Sequence, residues 1–171
     1  VNTGEKPVIY PSEGGGRDEK RTGQSIDCSV TIENGWAQAE GFSLNMQGFQ
    51  LIPHISQVQS FYNPIEVEEI YNRELEGLLK DITGASRVVI FDHTLRADSK
   101  SVREKRKIRE PSGTVHNDYT EASAVQRVRD LFPSSEARRL LGKRFAIINV
   151  WRPINGPVET APLTACDARS L

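Results

Sequence analysis

The stretch NPIEVEEIYNRELEGLLKDITGA at residues 63–85, followed directly by SRVVIFDHTLR at 86–96, sets two patterns side by side. In the first, Val67, Ile70, Tyr71, Leu75, Leu78, Leu79 and Ile82 recur at steps of three and four, the spacing of one helix face. Asn63 can cap this helix and Pro64 suits its first turn. Glu66, Glu68 and Glu69 favour the positive end of its dipole, and Gly84 can close it in a left-handed conformation. The second stretch is rich in β-branched residues and reads as a buried strand.

Outward from this pair, β signals dominate. Between Ile26 and Ser56 the pieces CSVTI, FSL and FQLIPHI are separated by Asn-Gly at 34–35 and Gln-Gly at 47–48, which suits short strands and tight turns. KRFAIINVWRPI (143–154) reads as a further strand, and PVETAPLTACDARSL (157–171) leads toward another. Thr120 can cap a helix carrying Ala124, Val125, Val128 and Leu131, and Ser134 or Ser135 a second that runs to Gly142. ADSKSVREKRKIREPSG (97–113) reads as a charged loop, and the Gly-rich PSEGGGRDEKRTGQ places a flexible lead-in over residues 1–25. Strands on both sides of a few helices, without strict alternation, predict an antiparallel, mainly β core with added helices.

Composition narrows the function classes. With 171 residues, 26% charged and 37% hydrophobic, the chain is expected to be one soluble domain over 26–171 rather than a disordered tail. A formal net charge of −1 gives no general pull toward nucleic acid or an anionic membrane. The basic run KSVREKRKIRE is interleaved with Glu104 and Glu110 and lacks a stacking aromatic, so a solvated loop is preferred to a nucleic-acid patch. Cys28 and Cys166 have no C-x-x-C spacing, which points to a reducing, cytoplasmic setting. No apolar run reaches the ~20 residues of a membrane span. Phosphate-loop, nucleophile-elbow and H-E-x-x-H patterns are absent.

The chemistry-bearing motif is TVHNDYTEAS (114–123). Residues i and i+2 of an extended segment face one side, so His116 and Asp118 can offer a nitrogen and a carboxylate oxygen to one divalent cation. A second histidine would complete a 2-His-1-carboxylate triad with open positions. The plainer reading is a hydrogen-bonded strand end before the Thr120 cap. In NVWRPI, Asn149 and Trp151 share one face, and Arg152 can form a fork with a ligand carboxylate or pair with Glu159 or Asp167. Arg96 can pair with Asp92 or reach a ligand carboxylate. His93 is expected to pack in its strand, and His54 is given no chemistry.

GFSLNMQGFQLIPHIS (41–56), TGASRVVIFDHTLR (83–96), VHNDYT (115–120), INVWRPINGPV (148–158) and PLTACDARSL (162–171) together resemble the fungal and bacterial hydroxylase/desaturase family, which includes aspergillic-acid-type hydroxylases and the cephamycin 7α-methoxylation component. The resemblance implies a double-stranded β-helix (jelly-roll) oxygenase that uses non-haem iron(II) and 2-oxoglutarate on a small secondary metabolite. It matches His116 and Asp118 to the family's H-x-D metal ligands, and makes Arg152, Asn149, Trp151 and Arg96 candidates for substrate or cosubstrate contact. The family's distal histidine, in a PHTAF-like segment, and its 2-oxoglutarate arginine are expected beyond Leu171. His54 and His93 both precede the pair, and using either would reverse the usual ligand order. The competing expectation is a catalytically inactive homologue acting as a binding or accessory protein.

Overall fold

A computed structural model describes residues 9–10, 20–22, 29–113 and 116–170. Two compact units emerge, Val1–Val88 with Val158–Leu171, and Val89–Pro157. Of the lead-in expected over 1–25, Ile9–Tyr10 (β1) and Lys20–Arg21 (β2) pair antiparallel, while most of the stretch, like Cys28, lies outside the described residues.

The first unit is organised by helix α1, residues 64–83. Its expected caps form: the Asn63 side chain accepts from the Ile65 N–H at 3.1 Å. At the other end Gly84, at φ 67°, donates to the Lys80 carbonyl at 2.8 Å. Glycine meets no Cβ penalty in that left-handed conformation. One widened π turn, Val67–Tyr71, interrupts the helix, a feature the residue spacing did not foretell. Tyr71, Leu75 and Leu79 are buried at four-residue steps. Val58 of the preceding segment is buried too, and the Phe61 ring meets Tyr71 edge-on with centroids 5.0 Å apart.

Carboxylates on α1 hold that segment in place. Glu74 Oε1 accepts from the Gln57 N–H at 2.7 Å. Glu66 Oε2 accepts from the amides of Gln59 and Ser60 at 2.7 and 3.1 Å, and Oε1 from the Asn63 side chain at 2.9 Å. These donors, the Ser60 N–H first, then Gln59 and Asn63, hold the Glu66 carboxyl below the usual glutamate range. Elsewhere in the unit, Ala168 N–H donates to the Gln47 carbonyl at 2.9 Å, fastening the Ala168–Ser170 3-10 turn to the chain at Gly48. A Cβ built on Gly48 would meet Ala168 Cβ at 3.4 Å, and its φ of 86° suits glycine.

In the second unit, α2 spans Lys100–Arg106, α3 Glu121–Leu131 and α4 Ser134–Leu141. Thr120 caps α3 through a reciprocal box with Ser123, as its position predicts. Helices α3 and α4 pack around Val128 and Ala137. The cap of α4 is Pro133, with no side-chain hydrogen bond, so Ser134 and Ser135 do not serve as expected.

The mainly β jelly-roll core is overturned. Among the described residues the strands are β1 and β2, with one further bridge between Arg96 and Arg109. Asn-Gly at 34–35 makes no hairpin: Asn34 accepts from the Trp36 N–H and starts the 3-10 turn Gly35–Gly41. SRVVIFDHTLR and KRFAIINVWRPI run without ladders except at Arg96. The reason is physical, since β propensity expresses packing against neighbouring strands and not a preference of the isolated backbone. Unpaired, these segments leave Val89, Phe91, Phe145, Val150 and Trp151 each more than a third exposed. The charged loop is corrected as well: Ser99 caps α2, and Lys107 ends it at φ 55°. No helix among the described residues is long and apolar enough to cross a membrane.

Two outcomes follow from this packing. Leu75 is 4% exposed, so Leu75→Ala should lower the urea midpoint by the equivalent of about 2–3 kcal/mol; a change under about 0.5 would remove α1 as the centre of the unit. For Glu66, the folded form favours the carboxylate, so its contribution is present above the unfolded-state value and lost as pH falls through the depressed folded value. The Gln59 and Ser60 amide shifts should therefore move together at acid pH in the wild type. In Glu66→Gln they should stay flat.

Candidate metal centre

His116 and Asp118 stand just before the cap of α3, whose Thr120 hydrogen bonds fix the downstream end of the segment. Between them and the cap lies Tyr119. Its hydroxyl oxygen accepts from Arg127 Nε at 3.0 Å, and the same guanidinium carbon sits 5.4 Å over the Phe91 ring and 5.8 Å from that of Tyr119. The Phe91 and Tyr119 rings meet edge-on, with centroids 6.2 Å apart. This clamp ties the H-x-D corner to the first two turns of α3.

The pair itself converges as i, i+2 geometry allows: His116 Nε2 lies 3.2 Å from Asp118 Oδ1. Both side chains are about half exposed, at 46% and 47%. The other carboxylate oxygen, Oδ2, accepts from the Asn149 side-chain amide at 2.5 Å, across 31 residues. One imidazole nitrogen and one carboxylate oxygen on half-exposed side chains are a donor set that suits a borderline divalent cation such as iron(II). Among the described residues no three His, Cys, Asp or Glu side chains gather to hold an ion. His54 belongs to the first unit, where its Nε2 is 4.0 Å from Glu74 Oε2, and His93 is exposed in the second.

The remaining sequence candidates divide. Asn149 joins the corner, but through Asp118. Trp151 and Arg152 follow within three residues, and the covalent chain alone keeps the Trp151 Cα within about 7 Å of the Asn149 Cα. Trp151 is 47% exposed and Arg152 half-buried. Asp167, a possible partner of Arg152, is instead gripped by Arg169 at 2.6 Å, whose hydrogen bonds pull its pKa to about 2. Arg96 lies within the 95–110 loop, its guanidinium donating to the Glu110 carbonyl at 2.8 Å. Arg103 spans the same loop, with Nη1 donating to the Ala97 carbonyl at 3.1 Å and Nη2 3.7 Å from Glu110 Oε2. Tyr119 and Arg127 were not foreseen. Their only trace in the sequence is an aromatic next to the H-x-D pair and a basic residue eight positions on, a pattern too common to single out.

Comparison with known proteins places the chain among oxidoreductases. The family described as "Oxidoreductase/YMDC permease-like domain" matches residues 1–171. A hydroxylase/desaturase of Cercospora beticola is 34% identical over 154 residues, covering 84% of this chain and 47% of its own. A hydroxylase/desaturase of Hormonema carpetanum is 34% identical over 162 residues, 88% of this chain and 54% of its own. A protein of Aspergillus novofumigatus named Fe(II)/2-oxoglutarate-dependent dioxygenase is 33% identical over 147 residues, 83% of this chain and 51% of its own. The chain thus spans about half the length of the curated relatives it matches.

Proposed function

The chain belongs to this oxidoreductase family, whose members include fungal hydroxylase/desaturases, and on that premise we propose that it carries part of the centre of an iron(II)/2-oxoglutarate-dependent oxygenase acting on a small secondary metabolite. The observation that carries the reading is the 3.2 Å approach of His116 Nε2 to Asp118 Oδ1 on two half-exposed side chains. His116 and Asp118 would hold the metal. When bound, iron(II) would supply the place where dioxygen, the oxidant, is activated with electrons from 2-oxoglutarate, which loses carbon dioxide, so that hydrogen can be removed from an unactivated carbon.

The chain's own residues do the rest. Asp118 would offer a carboxylate oxygen to the cation, and His116 an imidazole nitrogen. Arg152 is the proposed contact for a carboxylate of the cosubstrate or substrate, because its planar fork matches that group better than a lysine would. Trp151 is the proposed apolar wall beside it. The partner is a small molecule. Hydroxylation and desaturation both begin with loss of a hydrogen from substrate, and the name shared by two of these relatives spans both outcomes.

Anaerobic loading of the purified chain with iron(II), with and without 2-oxoglutarate, tests the reading. Wild type should retain iron through gel filtration, whereas His116→Ala and Asp118→Ala should each weaken retention at least about tenfold. Absence of retained iron in the wild type would sink the oxygenase reading and favour a binding or accessory role.

A further inference from the structure

We infer that Asn149 is a positioning residue for the Asp118 carboxylate, a role that rests on the metal reading of the H-x-D corner and extends it to a side chain 31 residues away. A carboxylate turns easily about its last torsion, whose preferences are broad. Asp118 has its two oxygens assigned: Oδ2 accepts the Asn149 Nδ2 hydrogen at 2.5 Å, and Oδ1 is thereby directed toward His116 Nε2 at 3.2 Å. Without the amide, the oxygens could exchange places or swing to water, since both side chains of the pair are about half exposed.

The donor's chemistry matters as much as its position. An amide N–H donates without carrying charge, so Asp118 keeps its full negative charge for a cation. A lysine or arginine in the same place would order the carboxylate equally well but would compete with the metal for that charge. Partners of metal ligands that act in this way govern affinity through ligand orientation.

The test uses cobalt(II) as a spectroscopic probe on the full chain. Asn149→Leu keeps the side-chain shape and removes the donor, and should raise the cobalt dissociation constant about 10–100-fold and alter the visible cobalt spectrum, while the urea midpoint stays near wild type. Asn149→Gln, which restores an amide, should recover part of the affinity. In the metal-free chain, the Asn149 side-chain amide resonances should shift on Asp118→Ala. If wild type binds cobalt and Asn149→Leu binds it with the same constant and spectrum, the role of Asn149 is overturned while the metal reading stands. An Asn149 amide that ignores Asp118→Ala overturns it too. If wild type takes up no cobalt, the metal reading fails first and the role falls with it.

Discussion

A carboxylate accepting hydrogen from a neighbouring irregular stretch of chain is an interaction found in both units. In the first unit, Glu66 and Glu74 of α1 take the backbone N–H groups of Gln57, Gln59 and Ser60. In the second, Asp118 takes the Asn149 amide. The physical need is the same in both: peptide and side-chain donors outside ladders and helices must find acceptors. An ionised acceptor makes the stronger bond, and it can serve two donors at once, as Glu66 does.

That constraint explains why an apolar, β-branched composition does not produce sheets here. A strand gains stability only when a partner supplies both a ladder and a facing side-chain surface. Among the described residues, SRVVIFDHTLR carries a strand-type bridge at its end, where Ala97 N–H donates to the Arg109 carbonyl at 2.9 Å and Arg109 N–H to the Leu95 carbonyl at 3.3 Å. Helices carry their hydrogen bonds within themselves, so they need packing for an apolar face but no ladder partner. The buried apolar residues are accordingly concentrated on α1, α3 and α4, and none of the large side chains described is completely buried.

The same distinction decides what the sequence could disclose. The start and end of α1 were readable because Asn63 and Gly84 act on backbone groups within four residues of themselves. The Thr120 cap was readable for the same reason. Helix α2 had a readable cap in Ser99, but it lacks an apolar stripe, and its charges suggested a loop instead. At the site, the nearness of His116 and Asp118 follows from their two-residue separation, although the strand on which a shared face was expected does not form. The link from Asp118 to Asn149 and the Arg127 clamp on Tyr119 were not legible, because nothing local specifies a partner 31 or even eight residues away.

Exposure finally shapes what this corner needs in order to bind a cation. With both proposed ligands about half open to water, the effective dielectric is high, and simple attraction between a divalent ion and one carboxylate would be heavily screened. Affinity must then come from ligands already in place, since each freely rotating group costs entropy when it is frozen. The Thr120 cap and the Arg127–Tyr119 clamp restrain the segment, and the neutral Asn149 donor restrains the carboxylate without cancelling its charge. Ordering by neutral or peripheral contacts is the arrangement that raises affinity in a wet site, because it lowers the entropic cost and leaves the ligand charge intact.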